Sequence, residues 1–459
     1  MINFSVIQKS QLEGALRLDA EYYQPEYLST LNKIKTSHFD FISNLLSRVV
    51  VTGSTPKKRD CKNDGTDIKF IKTDTLREGQ IVFDKADCLP LEESIKNSEL
   101  KSGDIIVTII GATHEIVGRV ARVFPSDPKM NINQNVALLR PKELSFSSYI
   151  SVFLQTKYGR DQIWQQSRQT EQVNLNCREV ENILVPIPEQ SFAKEIDDLV
   201  TSSYGLIGES KKIYAQAENV LLEKLGLEDS EKNESLFSVV SLSEVKGANR
   251  IDAEYFQVKY EKLVEKIKQN NAKKLGDIVS MKKGIEVGAE EYREEGKIFI
   301  RVSSMTKFGI VESDQKYLSD KLYESLKNDF EPKKGEILLT KDATLGIACV
   351  LKEDIQGIVS GGNLRLKLKN AEIEAEYLAL CLNSIVGQMQ AERDAGGSVI
   401  AHWKPEQIKN VVIPILPKET QQKIADLVRQ SYESRKKAKV LLEEAKSKVE
   451  EMIEKASKQ

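Results

Sequence analysis

Two stretches of the chain space their apolar and small residues by alternating threes and fours. The first runs through Ile196, Val200, Ser203, Ile207, Ser210, Tyr214, Ala217 and Leu221. The second runs through Ile424, Val428, Ser431, Arg435, Ala438, Leu442, Ala445, Val449, Met452 and Ala456. A period of about 3.5 residues sustained this long predicts coiled-coil seams on two long helices, over 191–226 and 419–459. Ser, Arg and Ala dilute both seams, and Gly205 and Gly208 weaken the first helix. Neither helix is expected to stand alone, so the pattern predicts that they pack together, antiparallel. The alternative is that each folds back onto its own domain. A helix over 191–226 would be on the order of 50 Å long, and the expected picture is two globes joined by a helical rod.

The shorter apolar runs recur in the same order in each half. A helical lead-in (19–36, then 252–270) precedes a mixed region of short strands and turns (45–140, then 275–368). A short apolar helix follows (147–159, then 375–387), then a strand-like segment ending in proline, then the long helix. The wording repeats as well as the order. RLDAEYYQPEY (17–27) returns as RIDAEYFQVKY (250–260), KSGDIIVTIIGAT (101–113) as KKGEILLTKDAT (333–344), and ENILVPIP (181–188) as KNVVIPILP (409–417). A repeat of roughly 230 residues far exceeds the ~20–50 of solenoid units, so it marks two copies of a whole domain. The expected fold class is α+β: two homologous domains of small mixed sheets with helices, pseudo-twofold, separated by two long helices packed as an antiparallel coiled coil. The expected division is 1–190 for the first domain with its lead-in and 191–226 for the first helix. Residues 227–418 are assigned to a linker and the second domain, and 419–459 to the second helix.

Composition changes this picture little. The 459 residues are 40% hydrophobic and 30% charged, with a net charge of −2. The five cysteines, Cys61, Cys88, Cys177, Cys349 and Cys381, are scattered without a C-x-x-C pair, and the three histidines are far apart. Disulfides and a metal site are therefore not expected. No run reaches the ~18 apolar residues of a membrane span, and the start lacks the order of a signal peptide; cytoplasmic residence without membrane contact is the expectation. The mild acidity does not advertise nucleic-acid binding, although a locally basic face can coexist with glutamates elsewhere.

Catalytic motifs are missing: there is no G-x-S-x-G, P-loop, H-E-x-x-H or G-x-G-x-x-G after a strand. Nor is there an Asn/Asp-Pro-Pro-aromatic tetrapeptide or a nuclease-like Asp, Glu-x-Lys cluster. Asp74 and Asp104 read better as turn caps than as catalysts. The turns carry more. VVVTGSTPKKR (49–59) leads from a strand into Ser54, Thr55 and the cations Lys57, Lys58 and Arg59, which suit phosphates; a solvated surface loop is the alternative. Its counterpart keeps a glycine with Lys282 and Lys283. Thr113, His114 and Arg119 follow one apolar strand, as Lys341, Asp342 and Thr344 follow its repeat; these are groove-reading candidates, with turn packing as the rival. SRQTEQVNLN (167–176) concentrates Arg168, Gln169 and Gln172, and its partner (393–403) holds Arg393, Ser398, His402 and Trp403. Arg and Gln can bind guanine and adenine edges bidentately, though either stretch could be a mobile loop. The pairs Tyr22–Tyr23 and Tyr255–Phe256 read as packing aromatics.

On these residues the chain resembles the specificity subunit of type I restriction–modification systems. The resemblance covers essentially the whole chain. In the first half it rests on Gly53-Ser54-Thr55-Pro56, Leu100 through Ile106, Gly118, Asn133-Gln134-Asn135, Gly159, Thr170, Gln172 and Ile183 through Pro188. In the second it rests on Gly284, Gly335 through Leu339, Gly346, Asn363, Gly387 and Val411 through Pro417. The second half departs from the pattern after Gly284, where Thr-Pro is missing, and in its Gln segment. The resemblance implies two target-recognition domains, each reading half of a bipartite asymmetric site in double-stranded DNA through the major groove, with the helices setting the spacer. It also implies docking of methyltransferase subunits, two in number, on the helices and lead-ins, with translocase–nuclease subunits joining them. S-adenosylmethionine, ATP and Mg would belong to those partners, and no cofactor to this chain. Two rivals stand beside it: a DNA-modifying enzyme acting alone, and a scaffold that grips proteins.

Overall fold

The computed structural model describes residues 5–10, 12, 17–57, 67–169, 172–228, 237–311, 315–395 and 401–458. The chain forms two compact units. The first joins Met1–Leu206 to Lys437–Gln459, and the second is Ile207–Lys436. Each unit thus takes part of each long helix, which a linear division of the sequence does not anticipate.

The first unit is built on an antiparallel sheet in the order Val51–Thr52, Val136–Leu139, Ile105–Thr108, Val120–Arg122. Successive strand residues point to opposite faces. Ile105 and Val107 enter one apolar cluster with Ala137 and Leu139, whereas Ile106 enters another with Val136 and Leu138. Burial on both faces explains why this strand reads as a continuous apolar run rather than an alternating one. A three-stranded sheet places Ile68–Ile71 between Met130–Ile132, parallel to it, and Asp87–Leu89, antiparallel.

The second unit repeats both sheets. Its four strands run Val279–Lys283, Asn363–Leu368, Ile337–Thr340, Ala348–Val350. Its three-stranded sheet again has a central strand, Lys297–Ile300, with one parallel and one antiparallel neighbour. Even buried polar contacts recur. Tyr149 donates its hydroxyl to the Pro186 carbonyl at 2.7 Å, and Tyr377 to that of Pro414 at 2.8 Å. Gln162 exchanges hydrogen bonds with the backbone of Leu184, as Gln390 does with Val412. Each pair ties a helix to the proline-ended strand.

The long helices are Gln190–Leu225 and Lys418–Ala456. In the first unit Lys448 pairs with Glu195 at 2.9 Å and Ser203 donates to the Ala438 carbonyl at 2.8 Å, so the helices run antiparallel. In the second unit the Ser210 and Ser431 hydroxyls lie 2.9 Å apart, keeping that register. Ser203, Ser210, Ala217, Ser431, Ala438 and Ala445 are buried; the small residues that dilute the seam let the backbones approach closely. The helices also dock on the domains: Tyr204 stacks on Phe124 at 3.7 Å, and the Lys157 amide donates to Glu450 at 2.8 Å. The two packing schemes left open by the sequence therefore occur together. Near its end the seam moves from Met452, which is half-buried, to fully buried Ile453, as a 3.6-residue helix drifts against a 3.5-residue pattern. One expectation is corrected: Cys88 is disulfide-bonded. Among the described residues, no helix is long and apolar enough to cross a membrane.

Candidate nucleic-acid interface

In each unit three loops meet at one end of the four-stranded sheet. In the first, the amide of Gly53 donates to the Asn133 carbonyl at 3.1 Å, Ile109 to Asn135 at 2.9 Å, and Leu175 to Ile109 at 2.8 Å. In the second, Gly284 donates to Asn363 at 3.1 Å, Lys341 to Gly362 at 2.9 Å, and Trp403 to Lys341 at 2.8 Å. Two of the three bonds correspond in register; the glycine bond falls on Asn133 in the first unit but on Asn363, the counterpart of Val136, in the second. The ladders join the glycine turn, the post-strand loop and the Arg/Gln segment, all far apart in sequence, into one surface. Glycine is required at the turn: a Cβ on Gly53 would lie 1.6 Å from the Ile132 carbonyl oxygen, and one on Gly284 2.1 Å from that of Ser360. The backbone contact is common to both copies, so the glycine persists while its neighbours change.

A threonine at the strand end closes the post-strand loop in both copies. Gly118 donates to the Thr108 carbonyl and Arg119 to its hydroxyl; Gly346 and Ile347 do the same to Thr340. The enclosed loop is 109–117 in the first unit but only 341–345 in the second. On one frame, then, the two copies carry loops of different length and chemistry.

In the first unit Thr113 is exposed at the loop tip, and His114 lies half-buried against Trp164, whose indole N–H donates to the His114 carbonyl at 3.0 Å. Arg119 donates to the Glu115 carbonyl at 3.3 Å and so braces the loop. Arg168–Gln169 pairs with Val173–Asn174, which pairs with Ile110–Gly111, so a small sheet carries both nominated segments. Arg168 is exposed and 3.0 Å from Glu179, and Gln172 is exposed as well. Thr55 donates to Gln134 at 2.6 Å, Ser54 is half-buried, and Lys57 is exposed. Lys58 and Arg59, and the side chain of Gln169, lie outside the described residues.

In the second unit Thr344 and His402 are exposed. Asp342 sits between the Lys341 ammonium at 2.5 Å and His402 Nδ1 at 2.8 Å. Ala343 is held at φ 58°, a conformation uncommon outside glycine, where its backbone N–H donates to the Ala401 carbonyl at 2.9 Å. Lys341 is a correction. It occupies the ladder position of buried Ile109, is only 8% exposed, and gives its charge to Asp342, so it braces the loop rather than reading a groove. Arg393 is likewise turned inward, bonded to Asp394 at 2.9 Å and lying over the Tyr255 ring. Lys282 and Lys283 are exposed on the strand before Gly284 and pair with Asp329 and Glu286. Ser398 lies outside the described residues.

Asp104 is buried in a forked ion pair with Arg140 at 2.7 Å and also accepts the Lys101 amide, as Glu336 does with Arg365 and Lys333. Such a carboxylate is committed to structure. Two further participants are not among the nominated site residues, although Gln134 lies in a motif of the family resemblance. Gln134 orients Thr55, and Trp164, under the guanidinium of Arg160, carries the His114 loop; burial pushes the Arg160 pKa down. No local signal marked Trp164.

Two copies of one α+β unit, each with a loop-built polar edge, define a duplicated recognition module. The chain belongs to the family described as the type I restriction modification DNA specificity domain, whose model matches residues 46–219 and 267–443. The type I restriction enzyme EcoBI specificity subunit of Escherichia coli is 24% identical over 157 residues, which cover 34% of this chain and 31% of that protein. The match thus spans about a third of that relative's length. Among solved structures, the type I restriction–modification S subunit from M. genitalium is 15% identical, covering 91% of this chain and 95% of that one, with a TM-score of 0.40. The HsdS subunit from Thermoanaerobacter tengcongensis is 14% identical, with coverages of 91% and 96% and a TM-score of 0.28.

Proposed function

We propose that this chain is the specificity subunit of a type I restriction–modification complex, non-catalytic by itself. Each unit reads one half of a bipartite, asymmetric site in duplex DNA through the major groove, and the long helices set the unread spacer. The observation that carries this reading is the shared backbone frame, two ladder bonds and a threonine-closed loop in each unit, that displays different side chains. A common frame with altered loops is what two different half-sites require, because base edges are distinguished by the donors and acceptors presented to them. In the first unit Thr113, Arg168 and Gln172 are the accessible readers, and Lys57 is a phosphate contact. In the second, Thr344 and His402 are the readers, and Lys282 and Lys283 face phosphates.

Selection of the purified chain from a random duplex library tests this. The expected product is a two-part motif around an unread gap. Affinity should fall with salt by ~0.9 in log–log slope per phosphate contact. A flat salt response would favour the protein-scaffold rival, and methylation or cleavage by the chain alone with Mg and S-adenosylmethionine would defeat the proposal.

The partners are methyltransferase subunits, two in number, joined by translocase–nuclease subunits. S-adenosylmethionine, ATP and Mg are bound on those partners. Recurrent exposed apolar residues just ahead of the lead-ins support this docking: Val6 and Leu18 in the first copy, Val239 and Ile251 in the second. Isolated exposed apolar residues are unremarkable, but the same positions exposed in both copies suit two identical partners. Leu18→Glu and Ile251→Glu should each remove one methyltransferase from the complex, read as native mass; an unchanged mass would reject this docking.

A further inference from the structure

The repeated Arg-x-Asp-Ala-Glu-Tyr segment supplies none of the nominated readers, yet its arginine forks onto its aspartate and reaches the helix-end carbonyl in both units. Arg17 forks onto Asp19 through Nε and Nη2, at 2.6 Å each, and its guanidinium lies 5.0 Å from the Tyr22 ring centre. Its remaining donors reach the carbonyls of Gln166 at 3.2 Å and Ser167 at 3.5 Å. Arg250 forks onto Asp252, lies 4.9 Å from the Tyr255 ring centre, and reaches the carbonyls of Asp394 at 3.2 Å and Arg393 at 3.5 Å.

Those carbonyls end the helices Lys157–Gln166 and Ile385–Asp394, where unsatisfied C=O groups and the negative end of the dipole favour a cation. What comes next in the chain matters most. In the first unit the residue after Ser167 is Arg168, the start of the reading strand. In the second, the Asp394 carbonyl also accepts from the Gln407 side-chain amide at 2.7 Å, which joins the helix end to the segment that follows His402. The planar, five-donor guanidinium can hold a carboxylate and two carbonyls at once, which an ammonium cannot.

We infer that Arg17 and Arg250 are positioning residues for specificity: each clamps the helix end that launches its unit's reading segment, and so fixes the aim of that segment. They touch no DNA themselves. The inference rests on the DNA-reading function proposed above.

The test compares the full-length wild-type chain with Arg17→Ala, Arg250→Ala and Arg17→Lys by selection from a random duplex library and by amide hydrogen exchange without DNA. Arg17→Ala should blur the first half-site alone and Arg250→Ala the second alone, with the salt slope unchanged. Arg17→Lys, which keeps charge but not the fork, should restore only part of the first half-site. Without DNA, the amides of Val173, Asn174 and Leu175 should exchange about tenfold faster in Arg17→Ala, while the second unit stays protected. Unchanged half-sites, or blurring of both by one substitution, would overturn the inference. If the wild-type chain selects no sequence, the DNA-reading function fails; the exchange measurement then decides the clamp alone, and unchanged protection refutes it.

Discussion

At Lys341 a cation that the sequence offers to DNA is folded inward onto Asp342, at the ladder position that Ile109 holds in the other copy. Its removal should strand the partly buried Asp342 carboxylate beside His402. Lys341→Ala is therefore expected to lower the second unit's stability by about 1–3 kcal/mol, measured by denaturant unfolding, while leaving the salt slope of DNA binding unchanged. A loss of slope by one phosphate with stability intact would return Lys341 to the DNA face. Arg168 is the contrasting residue, exposed and paired with Glu179. Arg168→Ala should cost about 1–3 kcal/mol on the preferred duplex and relax one position of the first half-site; an equal loss on every sequence would make it a phosphate contact. Both residues looked alike in the sequence, since each is a cation in a polar turn. The difference lies in the loop's backbone path, which turns one ammonium into the protein and leaves the guanidinium outside.

Among the elements, the long helices were the most legible, because heptad spacing needs no tertiary context to be recognised. Their glycines test how far that pattern suffices. A Cβ on Gly205 or Gly208 would meet nothing within 4 Å, so Gly205→Ala and Gly208→Ala should each stabilise the helix by ~0.5–1 kcal/mol, seen as a raised unfolding midpoint. A lowered midpoint would mean that the glycines serve flexibility or a close contact. If the helices measure the spacer, inserting one heptad into 205–222 and another into 431–448 should lengthen the unread gap and preserve both half-sites. Mapping methylated adenines with the assembled complex would read this out, and an unchanged gap would discard the ruler. The short strands of the reading loops were less legible: Arg168–Gln169 and Val173–Asn174 have two residues each, too few for any period to declare itself.

For the molecule as a whole, the net charge of −2 conceals many cations already paired with acids, as at Lys282 and Arg429. Burial opposes ionisation of Glu376, but Arg429 and Lys352 outweigh it and hold its pKa below the ordinary 4.5; Lys418 and Arg429 do the same for Glu374. Arg429 comes from the second long helix and bonds both glutamates, at 2.8 and 2.9 Å. Depressed carboxylate pKa values give stability that is complete above 4.5 and lost as pH falls through the lower folded values. Unfolding of the second unit should therefore become easier as pH falls below 4.5. Arg429→Ala should flatten that dependence and cost about 1 kcal/mol at neutral pH, since the partly solvated pairs are screened; an unaltered profile would place the acid sensitivity elsewhere. By itself the sequence determined the duplication, the helices, the strand cores and the family, because repeats and apolar periods are local and survive in one dimension. Only the tertiary structure decided which polar side chains face outward. Loop closure, ion pairing and the course of the backbone depend on residues distant in the chain, and a string of residue types carries no record of which partner each charge will find.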